Sequence, residues 1–317
     1  MKKALAIAGT AVIAGLLAMQ PVAANAACAN YAIWTQDGGS GEVKKWSTDG
    51  TLLTTIQTGI DAGDIAVSSD LTKIFAFTNG GLDAYSATTG AFESANPITG
   101  GSLTGSGAAA GVISGGKILT DAEGPADSSV IVSVDLATYA GTDWADLADA
   151  DASVPVGLRG GNWTVAGDVL QLPDNDILVV ASNSTVYADG VILLRINKTT
   201  PTQITAVGVV ASDVDVWGAG RGGDDIFLAT ETGDLLKLAS LPTAASLDPV
   251  ATTTVVTGQG SFWGAAGSDD STEGNAVCKQ EALPDTGLDL TAAGVIAFSV
   301  IAAGGIALLI RRRVAQG

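Results

Sequence analysis

The sequence predicts an all-β fold in which antiparallel four-stranded sheets close into a ring. Short apolar or β-branched runs alternate with turns rich in Gly, Asp, Asn and Thr, and residues 28–278 show no helical periodicity. These runs repeat along the chain at intervals typical of the blades of a β-propeller. The run expected first in the opening repeat is missing there and is found near the C-terminus instead. We therefore predict a β-propeller closed by strands from both chain ends.

Each repeat reads as a strand, a polar loop, a second strand and a turn, and five isoleucines mark equivalent positions. The intervals between these isoleucines are 41, 44, 59 and 49 residues, and the long interval contains an insertion at residues 145–161. A blade of four antiparallel strands needs about 40 to 50 residues, so five blades is the best count and five to seven are compatible with the spacing. The alternative is an open β-sandwich with a similar number of strands. The marker residues are Ile33, Ile74, Ile118, Ile177 and Ile226.

An inner strand is expected before each middle strand, and the segments 64–72, 109–116 and 213–225 fit that role. Before Ile33 there is no such segment, whereas residues 261–270 closely match 215–225. We predict that 261–270 joins three N-terminal strands in one blade, which removes the exposed edges of an open sheet. Cys28 and Cys278 lie at the two ends of this region and can form only one disulfide. The alternative is two unpaired thiols.

Two strand endings carry a resemblance to known propellers. Lys45-Trp46-Ser47 and Ala84-Tyr85-Ser86 end their strands in a way that resembles the WD-type and quinoprotein-type propeller families. The WD dipeptide and the tryptophan-docking signature of those families are absent. The resemblance therefore covers the architecture only.

The C-terminal region contains three features in series: the pentapeptide Leu283-Pro284-Asp285-Thr286-Gly287, an apolar stretch at residues 288–310, and Arg311-Arg312-Arg313. Together they resemble the cell-wall sorting signal of Gram-positive surface proteins. The resemblance implies that a sortase cleaves between Thr286 and Gly287 and joins the threonine carboxyl to a peptidoglycan amine. The apolar stretch is long enough to cross a bilayer as a helix, and the arginines favour a cytoplasmic end. The alternative is an ordinary membrane anchor preceded by a chance pentapeptide.

The N-terminus predicts export. Lys2 and Lys3 precede an apolar run at residues 4–18, and Ala24-Asn25-Ala26 has the small-x-small pattern of a signal-peptidase site. A lipoprotein signal ending at Cys28 would have leucine where Asn25 stands. The predicted organisation is a signal peptide (1–26), a propeller (27–278), a short linker with the sorting motif (279–287), a transmembrane helix (288–310) and a basic cytoplasmic tail (311–317).

Composition narrows the functional classes. The net charge of the 317 residues is −18, and it becomes more negative once the N-terminal lysines and C-terminal arginines are removed. Such a surface repels nucleic acids and anionic wall polymers. The chain contains no histidine, which excludes the Ser-His-Asp arrangement and the usual catalytic zinc sites. An enzyme built on this sequence would have to use carboxylates.

Acidic residues recur in the turns between the inner and second strands. Clustered on one face they could hold calcium, but no loop has the spaced D-x-D-x-D-G pattern, so solvated turns are the preferred interpretation and no metal ligands or cofactors are assigned. The residues are Asp70, Asp174, Asp176, Asp224, Asp225, Asp269 and Asp270.

Three tryptophans stand out in an aromatic-poor chain. Trp217 and Trp263 begin similar W-G-A segments, and Trp163 begins the related segment W-T-V-A-G. On inner strands, these rings would surround the mouth of the central channel, where they could stack on a sugar or another flat ligand. Arg159 and Arg221 are the basic candidates nearby. Structural packing between blades is the alternative role for the tryptophans.

Three functions follow. The first is a wall-anchored, non-enzymatic module that binds a glycan, a small ligand or a neighbouring surface protein. The second is a glycoside hydrolase, since some five-bladed propellers place carboxylates around the channel; Asp64, Asp168 and Asp215 would serve, with one pair about 5 to 9.5 Å apart. The third is a structural wall protein without a small ligand. Residues 279–286 reach at most about 28 Å, so the propeller is expected within or close to the wall.

Overall fold

The computed structural model describes residues 31–61, 63–78, 81–103, 110–123, 128–213, 215–241, 243–268 and 270. Twenty strands in these residues form five antiparallel sheets of four strands each, called blades 1 to 5 here. The all-β prediction and the count of five blades are confirmed. The predicted signal peptide, both cysteines, the sorting motif and the C-terminal apolar stretch lie outside the described residues. Within those described, no helix has the length and apolarity that crossing a bilayer requires.

The strands run from the inner to the outer edge of each blade. Blade 1 contains β20 (Phe262–Gly267), β1 (Ala32–Asp37), β2 (Glu42–Ser47) and β3 (Leu52–Gln57). Blade 2 contains β4 (Ile65–Val67), β5 (Lys73–Thr78), β6 (Gly81–Ser86) and β7 (Phe92–Pro97). Blade 3 contains β8 (Ala110–Ile113), β9 (Lys117–Glu123), β10 (Ser129–Asp135) and β11 (Gly141–Asp146).

Blade 4 has the longest strands, with seven to ten residues each. Blade 4 contains β12 (Thr164–Gln171), β13 (Ile177–Asn183), β14 (Tyr187–Ile196) and β15 (Ile204–Ala211). Blade 5 contains β16 (Val216–Gly222), β17 (Asp225–Thr230), β18 (Leu235–Leu238) and β19 (Thr252–Val256). The inner strands β4, β8, β12, β16 and β20 contact one another in that order around a ring. The end of the ring at which they begin is called the top face.

The five marker isoleucines occupy equivalent positions, as the repeat predicted. Each lies at the start of the second strand of its blade and pairs with a residue at the end of the inner strand. The exposed fraction of these side chains is 6% for Ile226 and 0% for the other four. The sequence repeat therefore reflects a repeated burial site between blades. The pairs are Ile33–Gly267, Ile74–Val67, Ile118–Val112, Ile177–Gln171 and Ile226–Arg221.

Blade 1 closes the ring by joining the two ends of the described chain. The C-terminal β20 pairs with the N-terminal β1 in an antiparallel register from Ile33–Gly267 to Asp37–Phe262. Beyond the strands, the Ser268 N–H donates to the carbonyl of Ala32 at 2.9 Å, and the Ala32 N–H donates to Ser268 Oγ at 3.1 Å. The predicted pairing of residues 261–270 with the first strands is confirmed. The disulfide between Cys28 and Cys278 stays a prediction.

Neighbouring inner strands approach so closely that side chains are excluded between them. A Cβ atom on Gly218 would lie 2.2 Å from the backbone nitrogen of Ala265, and one on Gly264 would lie 2.4 Å from Asp64 Oδ1. A Cβ on Gly111 would lie 1.4 Å from the carbonyl oxygen of Val169. Glycine is the residue that permits main-chain contact of this kind. The glycine-rich inner segments are thus a requirement of the narrow ring.

The insertion at residues 145–161 packs between blades 3 and 4. It extends β11 into two 3₁₀ helices, Leu147–Ser153 and Val156–Leu158. Leu147 and Ala150 are fully buried among residues of β10, β13 and β15, and Ser153 Oγ accepts a hydrogen bond from the Ala206 N–H at 3.0 Å. The insertion therefore belongs to the hydrophobic core between these blades.

The main-chain contacts between inner strands predict a large cost for Gly218→Ala. The added methyl group would overlap the backbone at Ala265, so we expect a loss of about 1–3 kcal/mol of unfolding free energy. Urea unfolding monitored by tryptophan fluorescence measures this loss. Gly157→Ala is the matched control, since a Cβ there meets no atom within 4 Å. Equal stability of the two variants would contradict the tight ring.

Candidate functional site

Two tryptophans lie at β-bulges in equivalent inner strands. Trp217 is the extra residue of β16 relative to β17, and Trp263 is the extra residue of β20 relative to β1. A β-bulge redirects a side chain out of the regular alternation. Both side chains are partly exposed at the top face, Trp217 by 41% and Trp263 by 40%.

Trp217 borders an open cleft of about 570 Å³ between blades 4 and 5. This volume is within the range of small-ligand sites. The register shift in β12 between Val165 and Val169 inserts two residues relative to β13, and residues 165–167 of this irregular stretch line the cleft. The lining residues come from β12 and the segment before it, from the ends of β13 and β14, and from the segment before β16. They include Asn162, Thr164, Ala166, Gly167, Ser182, Asn183, Tyr187, Asp213 and Asp215.

The polar wall of the cleft is formed by the turn between β13 and β14. Asn183 is 1% exposed, and its Oδ1 accepts hydrogen bonds from the N–H groups of Thr185 and Val186 at 3.0 and 3.3 Å. Its Nδ2 has no hydrogen-bond partner among the described residues. Thr164 Oγ1 and Ser182 Oγ lie 2.7 Å apart across the first pair of β12 and β13. The cleft thus combines an aromatic ring, hydroxyl groups and an amide.

Trp263 lies outside this cleft and covers a turn of blade 1. A Cβ on Gly38 would lie 2.1 Å from the indole ring of Trp263, so the ring rests directly on the main chain of the β1–β2 turn. The Gly38 N–H donates to the carbonyl of Ser261 at 2.9 Å and holds this turn against the segment before β20. The two exposed tryptophans therefore have different surroundings.

Trp163 was expected at the mouth of the channel, but its side chain is fully buried and does not reach that position. Its ring packs in the core between blades 3 and 4, and Nε1 donates to Asp151 Oδ1 in the insertion at 2.8 Å. The registers align Trp217 with Gly167, four residues after Trp163. The similar W-T-V-A-G and W-G-A-G segments are therefore offset along their strands. Trp163 has the alternative role considered above, packing between blades.

The two arginines also lie away from the cleft lining. Arg159 is exposed in the insertion, and its Nε donates to the carbonyl of Val154 at 3.2 Å. Arg221 is 5% exposed; its Nε donates to the carbonyl of Gln171 at 2.9 Å and its Nη1 to that of Gly223 at 2.6 Å. Arg221 therefore links the inner strands of blades 4 and 5.

Asp64 and Asp168 occupy equivalent positions and connect neighbouring blades. Asp64 Oδ1 accepts from the N–H groups of Ile65 at 2.8 Å and Ala265 at 3.0 Å. Asp168 accepts from Val169 N–H through Oδ1 at 2.5 Å and from Ala219 N–H through Oδ2 at 3.4 Å. Inner strands of different blades have no shared β-ladder, so these carboxylates supply acceptors between them.

The three carboxylates proposed for glycoside hydrolysis are thus divided between two environments. Asp64 and Asp168 are 0% and 1% exposed and do not line the cleft, whereas Asp215 is exposed and does line it. A glycosidase needs two carboxyl groups that both reach the same sugar. The structure does not bring these three residues together at one accessible surface.

Asp270 also differs from expectation, since it is a buried residue of the ring centre rather than a solvated turn residue. Its Oδ1 accepts from the N–H of Arg221 at 2.6 Å, its Oδ2 accepts from Gly267 N–H, and its carbonyl accepts from the Gln171 N–H at 2.9 Å. Burial first, and then the charges of Asp64 and Asp270, raise the pKa of Asp168 well above its usual value. The ring centre therefore favours a protonated Asp168.

The described acidic turn residues near the surface mostly have partners within the protein. Asp70 accepts hydrogen bonds from Ser68 and Thr72. Arg195 forms ion pairs with Asp174 and Asp176, and Lys237 forms one with Asp225 at 2.6 Å. Asp224 is exposed, and Asp269 lies outside the described residues. The described part of the chain contains no group of three or more acidic or sulfur ligands suited to a metal ion.

Sequence reasoning missed Asn183, Tyr187 and Asp213, which line the cleft with Trp217. In the sequence, polar residues at strand ends have the composition of ordinary turns. The similarity among the segments at Trp163, Trp217 and Trp263 does not single out the three missed residues.

Comparisons with known proteins assign no family. No protein-family profile matches the sequence, and no curated protein matches it. The similar solved structures include hydrazine synthase from Kuenenia stuttgartiensis, with 10% identity, a TM-score of 0.41, and coverage of 65% of this chain and 61% of that chain. They also include TolB from Acinetobacter baumannii, with 11% identity, a TM-score of 0.39, and coverage of 75% and 66%. This chain thus spans less than two thirds of either relative, and similarities of this strength carry no functional conclusion.

The buried position of Asp168 predicts that stability depends on pH. Its raised pKa means that the folded state retains a proton that the unfolded chain releases near pH 3.8, so stability falls as pH rises through the raised pKa. Asp168→Asn stays neutral at every pH. Relative to this variant, the wild-type protein should lose up to about 1.4 kcal/mol of unfolding free energy for each pH unit between pH 3.8 and the raised pKa. Urea unfolding of both proteins between about pH 4 and 8 measures the difference. A difference that does not change with pH would refute the assignment.

Proposed function

We propose that this protein is a cell-surface β-propeller that binds a ligand without transforming it, and that the cleft between blades 4 and 5 is its binding site. The observation that carries the proposal is the combination of an open cleft of about 570 Å³ with a tryptophan exposed by 41% at its edge. A large aromatic side chain left exposed beside a concave polar surface is typical of ligand recognition.

The placement of the carboxylates supports a binding role over a hydrolytic one. Asp64 and Asp168 are bound by main-chain N–H groups and hold the ring together. Of the three acidic residues considered for catalysis, Asp215 alone lines the cleft. Hydrolysis by the predicted set would need Asp64 or Asp168 to act on the same bond as Asp215, and neither of them lines the cleft. Asp213 also lines the cleft, and both side chains serve the binding proposal as acceptors.

We further propose that the protein is exported, sorted and attached to peptidoglycan through Thr286. The support is the ordered series of pentapeptide, apolar stretch and arginines, together with the N-terminal export pattern. Sortase is then a transient partner and peptidoglycan a covalent one. Ligands would be wall glycans, secreted molecules or neighbouring surface proteins.

The binding proposal predicts that Trp217→Ala removes affinity without unfolding the protein. The full chain in detergent is screened against a mixed panel of glycans and small ligands, and bound compounds are titrated by fluorescence. Loss of the stacking surface should weaken binding about tenfold or more. Phe92→Ala is the control, because Phe92 is a 57% exposed aromatic residue on the outer strand β7. Equal affinity of both variants would refute the site, and a screen without any ligand would favour a structural role.

The anchoring proposal predicts that Thr286→Ala moves the protein out of the covalent wall fraction. Without the threonine carboxyl donor, the chain should stay with the membrane or enter the medium. Fractionation of an expressing Gram-positive host with muramidase release measures this distribution. Asp285→Ala, at the variable position of the pentapeptide, is the control and should remain wall-bound. An unchanged wall fraction for Thr286→Ala would contradict sorting.

A further inference from the structure

The amide of Asn183 has a donor without an acceptor in the wall of the cleft. The N–H groups of Thr185 and Val186 can only donate, so the atom that they contact at 3.0 and 3.3 Å is Oδ1 and the other atom is Nδ2. Nδ2 is buried and has no partner among the described residues, and Asn183 lines the cleft. Buried polar groups in native proteins are nearly always satisfied. A ligand that enters the cleft and shifts the atoms around Asn183 would supply the missing acceptor.

The acidic residues of the cleft require donors from the same ligand. Asp213 and Asp215 are exposed and line the cleft, and ionised carboxylates can only accept hydrogen bonds. The described lining residues include no lysine or arginine that would neutralise them. An anionic ligand would therefore be repelled, both locally and by the net charge of −18 on the whole chain.

The indole of Trp217 adds a third requirement, a flat apolar face. Its half-exposed ring borders the same cleft and offers an area on which a ring-shaped ligand can stack. A simple alkylammonium ion could pair with the carboxylates and contact the indole. Such an ion has no lone pair and would leave Asn183 Nδ2 unsatisfied.

We propose that the cleft between blades 4 and 5 binds a sugar residue that carries no acidic group. A pyranose offers hydroxyl and ring oxygens to Asn183 Nδ2, hydroxyl donors to Asp213 and Asp215, and a C–H face to Trp217. This assignment rests on the proposed binding function and names its ligand class. On this assignment, the carboxylates of Asp213 and Asp215 repel acidic sugars and so exclude them from the cleft.

The test compares neutral sugars with the forms of the same sugars that are oxidised to an acid at C6. The full chain in detergent is titrated with polymer-displayed glucose, galactose, mannose and N-acetylglucosamine, with the uronic acids of the first three, and with choline as the ammonium probe. We expect at least one neutral sugar to bind, and its uronic acid to bind at least tenfold more weakly. The double variant Asp213→Asn/Asp215→Asn should reduce that preference to threefold or less.

Asn183→Asp tests the donor. The variant keeps Oδ1 and hence the turn, but it replaces the Nδ2 donor with an acceptor, so sugar affinity should fall at least tenfold. Asn197→Asp is the matched control, because Asn197 Oδ1 holds an equivalent turn through the N–H groups of Thr199 and Thr200 at 3.0 Å after the opposite end of β14. The control should bind like the wild type.

The outcomes separate this inference from the proposed function. Equal or stronger binding of uronic acids, binding of choline alone, or full affinity in Asn183→Asp would overturn the ligand class while leaving a binding protein. Binding of none of these probes would overturn the ligand class too, and the wider screen with Trp217→Ala then decides the binding function. If Asn183→Asp does not fold, the sugar preference of the double aspartate variant decides the question.

Discussion

Main-chain contact between neighbouring inner strands is the constraint on which this propeller depends. At the ring centre, Gly111, Gly218 and Gly264 bring backbone against backbone or against a carboxylate at distances that no side chain would permit. Strands packed so closely but belonging to different sheets leave polar main-chain groups without ladder partners. Asp64 and Asp168 accept from those groups across the blade boundaries. The glycines of the inner strands thus allow close packing between blades, and the aspartates accept hydrogen bonds from the main-chain groups that this packing leaves without ladder partners.

The same arrangement gives the buried carboxylates at the ring centre a structural role. Each buried aspartate has main-chain donors, and the closeness of Asp64 and Asp270 raises the pKa of Asp168 after burial has already raised it. A buried carboxyl of this kind contributes to the architecture of the ring. The polar surface accessible to a ligand lies elsewhere, where bulges in β12 and β16 interrupt the regular strands. There Trp217, Asn183 and Asp215 meet at one cleft.

Several elements of the fold were predictable from the sequence. The isoleucine repeat arises because each blade buries the same position of its second strand. A buried position favours an apolar residue, so the repeat is visible in the sequence. The replacement of the first inner strand by residues 261–270 was visible because that segment closely resembles 215–225. By contrast, the position of Trp163 was not predictable. The two extra residues in β12 shift its register, and the local sequence around Trp163 does not reveal that shift.

The sequence alone determined the all-β class, the five repeats and the pairing of the two chain ends, because apolar periodicity and segment similarity are local properties of the chain. It also contains the export and sorting patterns, whose meaning depends on order along the chain rather than on folding. Tertiary structure decided which tryptophans are exposed, which aspartates are buried, and that Asn183 and Asp213 meet Trp217 at a cleft. These outcomes depend on contacts between blades, and such contacts join residues that are distant in sequence. Turn-forming residues look alike until the ring closes and places some of them beside a ligand-sized opening.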